Sequence, residues 1–142
     1  MNYLKTLSIF LLFVAICSCN SVNSNDRVCT LEFRTFSATV LTPSGAPADS
    51  VDISITIGNS SEFMDPCTEV YGDSCDQEGA DGTYIIFHDG FMDEINEGKD
   101  ATVMVEGTRA ETSFSQEFVF TNDGCHIGQV AGPDTVRLQA KP

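Results

Sequence analysis

The reactive side chains of this sequence are few. It has six cysteines, two histidines and no tryptophan, set among twenty-one Asp and Glu residues. Cys17 and Cys19 stand together near the start, while Cys29, Cys67, Cys75 and Cys125 are spread through the body of the chain. Thiols with His88 or His126 could hold zinc, but none of those four cysteines stands at the Cys-x-x-Cys spacing that tetrahedral sites favour. An even number of cysteines in an exported domain points instead to disulfides. Of the three pairings open to four cysteines, the expected one is Cys67–Cys75, closing a local loop, with Cys29–Cys125 tying the first strand to the connection before the last. Chain entropy gives roughly 2.5 kcal/mol for the short loop and roughly 4.5 kcal/mol for the long one.

Asp73, Asp76, Glu78 and Asp81 crowd one stretch between Gly72 and Gly82. Several carboxylates on a flexible loop are what calcium needs, but the order is not that of an EF-hand loop, so solvated turn acids are the expected reading. No metal and no cofactor are expected. His88 and His126 lack a serine on a nucleophile elbow such as Gly-x-Ser-x-Gly, so no acyl-transfer triad is legible, and structural roles are expected for both.

The elements that position these residues begin with an apolar run, Leu7 to Ile16, behind a short, weakly positive start carrying Lys5. A run of about ten residues is too short to span a bilayer and fits the core of a secretion signal. It ends Ile16-Cys17-Ser18-Cys19, which resembles the bacterial lipobox, with Ser18 as the small residue before the cut. The expected division is a signal peptide over 1–18, a lipid anchor at Cys19 with a polar tether over 19–28, and one domain over 29–142. The implied location is the bacterial cell envelope, most simply the outer membrane, with the membrane engaged through lipid on Cys19.

A chain of 142 residues argues for one domain. Its formal charge is -14, and loss of Lys5 with a cleaved signal makes it one unit more negative. The acids are scattered and no basic stripe exists to replace phosphate counterions, so nucleic acid is excluded as a partner.

Strand periodicity dominates beyond the tether. Val51, Ile53, Ile55 and Ile57 alternate with polar residues, and Ala101, Val103 and Val105 alternate with Thr102, Met104 and Glu106. Phe114, Phe118 and Phe120 share a parity, and so do Val136, Leu138 and Ala140. The first strand changes parity between Leu31–Phe33 and Phe36–Val40, predicting a bulge or a switch between sheets near Arg34–Thr35. Gly, Asn and Pro turns separate these runs. The pattern predicts an all-β fold, a single antiparallel β-sandwich of about seven strands.

The stretch Ser44-Gly45-Ala46-Pro47-Ala48-Asp49-Ser50-Val51-Asp52-Ile53-Ser54-Ile55 resembles the opening of carboxypeptidase regulatory-like domains. Asp81-Gly82-Thr83-Tyr84-Ile85-Ile86 is similar to the same family's Asp-Gly-x-Tyr strand entry. Val103-Met104-Val105-Glu106-Gly107 resembles a later strand-to-turn segment. The resemblance implies a transthyretin- or immunoglobulin-like sandwich, and such modules are usually non-catalytic. A hydrolase branch of the transthyretin fold carries a Tyr-Arg-Gly-Ser signature that is missing from Val136-Arg137-Leu138-Gln139-Ala140-Lys141-Pro142. The expected function is therefore an adhesion, scaffolding or partner-binding module with a protein partner in the envelope. The alternatives are a calcium or ligand binder using loop 59–80, and a small transthyretin-like hydrolase.

Overall fold

The computed structural model describes residues 27–67 and 81–141. Eight strands are formed there: β1 Thr35–Leu41, β2 Asp52–Ile57, β3 Thr83–His88, β4 Asp100–Arg109, β5 Thr112–Asn122, β6 Ile127–Ala131, β7 Thr135–Arg137 and β8 Gln139–Ala140. A short 3-10 helix, Asp89–Glu94, follows β3. One sheet has the order β3-β1-β7; the other has β2-β4-β5-β6, with β8 also pairing β5. The fold is all-β, in two sheets.

The alternation read from the sequence sets which face of each strand is inside. Val51, Ile53 and Ile55 are buried on β2 and just before it, Val103 and Val105 on β4, and Phe114, Phe118 and Phe120 on β5. These meet Val40, Tyr84, Ile86 and Phe87 of the opposing sheet in one core. Phe120 carries the contact between sheets, its ring 4.4 Å from that of Phe87 and 5.3 Å from that of Phe36. Burial of this apolar surface, at about 25 cal/mol per Å², is the main driving force for the fold.

Four local expectations are corrected. Residues 27–34 are not strand, and Leu31 and Phe33 face solvent at 105% and 49% exposure. The irregularity lies in β3: Phe36 pairs with Phe87 but Ser37 with Ile85, so Ile86 is the extra residue and both Ile86 and Phe87 turn inward. The two sheets are also not wholly antiparallel. After β6 the chain crosses to the other sheet, and β7 runs parallel to β1 through Thr39↔Thr135, Val40↔Val136 and Leu41↔Arg137. Ala140, expected inside, is exposed, because β8 pairs with the end of β5 instead of covering the core.

That crossing opens the second sheet. β6 pairs β5 only from Val119 onward, and β8 only at Thr112 and Ser113. Among the described residues, 114–118 of β5 therefore have a partner strand on the β4 side alone. Gly132 makes the exit possible, with φ +132° and a hypothetical Cβ only 2.1 Å from Phe118 Cδ1.

Tyr84 shows how the connection into β2 is held. Its hydroxyl, buried with the ring, donates to the Ala48 carbonyl at 2.9 Å and accepts from the Val51 N–H at 3.1 Å. Tyr84→Phe leaves both backbone groups without that partner and should lower stability by about 1–3 kcal/mol in a urea melt. A change within about 0.5 kcal/mol would show that water replaces the hydroxyl.

Candidate functional site

The polar residues of the molecule converge where the chain enters the domain. Cys29 and Cys125 are joined by a disulfide, with Cα atoms 5.3 Å apart. The next residue on each side extends the contact: Thr30 Oγ1 lies 2.8 Å from His126 Nε2. His126 Nδ1 donates to Asp89 Oδ2 at 2.8 Å, and both of these side chains are 7% exposed. Asp89 also accepts from the Arg34 N–H at 2.9 Å and the Ile127 N–H at 2.7 Å, while its own N–H donates to the Arg34 carbonyl at 3.0 Å. Arg27 closes the far end, pairing with Glu97 at 3.0 Å and donating to the Asp123 carbonyl. Residues 27–34 are thus clasped to the 3-10 helix and to the turn between β5 and β6.

Burial of Asp89 acts to raise its pKa. The N–H groups of Ile127 and Arg34 and the His126 side chain outweigh that effect and hold the carboxyl below the usual carboxylate range. Asp123 is lowered as well, by the N–H groups of Cys125 and His126.

A hydroxyl, an imidazole and a carboxylate in series have the connectivity of an acyl-transfer triad. Such a triad also needs free N–H groups aimed at a developing oxyanion. Here the N–H groups on either side of the imidazole are committed. Gly124 donates to Asn122 Oδ1, Cys125 and His126 both donate to Asp123 Oδ1, and Ile127 donates to Asp89. What the arrangement does with its hydrogen bonds is hold two segments together. The relay was not foreseen from sequence, although Thr30 follows Cys29 and His126 follows Cys125, so the expected bridge already placed the two side by side.

His88 is fully buried. Its Nδ1 accepts from the Gly90 N–H at 3.0 Å, so the ring proton sits on Nε2 and is donated to the Pro66 carbonyl at 2.8 Å. It caps the 3-10 helix and ties it to the loop after β2. In that loop Met64 exchanges two backbone hydrogen bonds with Ile55, at 2.8 and 2.9 Å, and Phe63 is exposed. Cys67 is buried and disulfide-bonded. The Cys67–Cys75 pairing, Cys19 and the calcium candidates Asp73, Asp76 and Glu78 fall outside the described residues. Asp81 is described, and its Oδ1 accepts from the Thr83 N–H at 3.0 Å, closing a turn. Among the described residues, no group of three or more His, Cys, Asp or Glu is placed to hold a metal.

A second feature lies along the open stretch of β5. A cleft of about 620 Å³ runs beside it, lined by Ser113, Ser115, Gln116, Pro133, Thr135 and Arg137 among others. Backbone direction alternates along a strand. Glu111 offers its carbonyl to Lys141 on the β8 side, and Asn122 turns its N–H to Lys99 beside β4. By that parity the backbone groups of Ser115 and Glu117 face the opening. Gln116, half-buried between Phe114 and Phe118, donates through Nε2 to the Glu117 carbonyl at 3.0 Å, so a side chain serves a group that a neighbouring strand would otherwise meet.

Comparison of the chain with protein-family models, with curated proteins and with solved structures finds no match.

Proposed function

We propose that this chain is an envelope-anchored lipoprotein, lipidated on Cys19 and most simply held in the outer membrane. Its domain is a transthyretin- or immunoglobulin-like sandwich that acts as a non-catalytic partner-binding module. The observation that carries the binding role is the open stretch of β5 above its cleft. An extended segment of a protein partner laid there would meet the backbone of Ser115 and, on displacing the Gln116 side chain, that of Glu117, while Arg137 lines the cleft wall. Supporting the non-catalytic reading, the hydroxyl–imidazole–carboxylate series of Thr30, His126 and Asp89 has the N–H groups beside its imidazole already spent on structure. The acidic surface favours a partner that presents basic residues around its docking strand.

The test is a photo-crosslinking residue placed at Ser115 or at Glu111 in intact cells, with fatty-acid labelling of the same samples. The expected outcome is one protein adduct from position 115, none from position 111, and a lipid label that Cys19→Ala abolishes. Adducts from both positions, or from neither, would remove β5 as the binding edge.

A further inference from the structure

The entry segment is built inside out. Val28, Leu31 and Phe33 are 93%, 105% and 49% exposed, whereas Cys29, Thr30 and the Arg34 backbone are turned to the protein. A disulfide and a buried imidazole–carboxylate pair hold this segment with its apolar side chains in water. Phe33 is fixed as well, its ring 5.7 Å from that of His88. Exposed apolar residues on a segment tied down by covalent and polar contacts mark an interaction surface.

We propose that this ridge rests on the bilayer to which the chain is anchored, at the boundary of phospholipid headgroups and acyl chains. The inference rests on lipidation at Cys19. Val28 is nine positions beyond Cys19, so the ridge can lie no further than about 30 Å from the lipid. Arg27 and Arg34 flank it, with side chains 52% and 41% exposed and within reach of headgroup phosphates. Their carboxylate partners, Glu97 and Glu32, are also exposed, and such surface pairs exchange readily for other ions. Glu32 lies within the ridge and Glu97 beside it, so the seat is apolar and not electrostatic in origin. The hairpin at Glu111, at the opposite end of β5 from the clasp, would then point away from the membrane.

The protein has no tryptophan, so one introduced residue reports its own surroundings. Full-length lipidated L31W and E111W would be placed in phosphatidylethanolamine–phosphatidylglycerol vesicles whose acyl chains carry bromine. L31W should show a blue-shifted emission and several-fold stronger quenching than E111W, which should match its emission in detergent-free buffer. If the protein floats with the vesicles and the two variants are quenched alike, the ridge is not membrane-seated and the anchor reading stands. If it does not float, the anchor reading fails and the ridge proposal falls with it.

Discussion

Replacing Asp89 with alanine should cost the domain about 3–5 kcal/mol, because each donor it serves is left unsatisfied at about 1–3 kcal/mol. The carboxylate is the acceptor for three donors, the N–H groups of Arg34 and Ile127 and the Nδ1–H of His126. Alanine leaves all three pointing into a space with no acceptor. Asparagine is not a remedy, because one of its two positions would present an NH₂ to a donor. The effect also carries a signature in pH. Asp89 has a folded pKa below its unfolded value. Its contribution is therefore present above about pH 4, the ordinary carboxylate value, and is lost as pH falls through the lower folded pKa. Urea melts between neutral pH and about pH 3 should show the native protein losing stability more steeply with acid than Asp89→Ala does. Parallel acid slopes for the two proteins would mean that Asp89 does not carry the linkage.

Much of the core was legible because a half-buried sheet imposes a period of two. Val51-Asp52-Ile53-Ser54-Ile55 can satisfy both faces of β2 in only one register, and Phe114, Phe118 and Phe120 do the same for β5. The same rule misled at Leu31 and Phe33. Alternation identifies residues that share a side without saying which side is wet, and here a covalent bond and buried polar contacts hold the segment where apolar burial does not. The bulge in β3 was hidden for a related reason, since Ile85, Ile86 and Phe87 are all apolar and an extra residue leaves no polar mark. The Asp89–His126–Thr30 series joins positions 37 and 96 residues apart, and no local spacing can announce it. The gap beside β5 was equally out of reach. It follows from where β6 ends and β8 begins, a matter of which strands pair, which alternation does not encode.

Removing the Cys29–Cys125 bridge, by replacing both residues with alanine, should cost roughly 4.5 kcal/mol and lower Tm by about 15 °C. The bond spans 96 positions, so in the unfolded chain it closes nearly the whole domain into a ring. Most of the effect arises there, through the freedom that the unfolded chain regains, and little of it through contacts in the folded state. The folded double variant should therefore keep its two sheets, with slowed exchange still measured for the β4 and β5 amides. The entry segment should behave differently, because Thr30 and the Arg34 backbone would then hold it without a covalent tie. Amides of residues 29–34 should exchange faster by a factor that Thr30→Val, which removes a single hydrogen bond worth about 1 kcal/mol, reproduces only in small part. A fall in Tm of less than about 4 °C, the equivalent of roughly 1 kcal/mol, would mean that the unfolded chain remains compact without the bridge. The clasp would then owe its strength to the carboxylate of Asp89 and not to the disulfide.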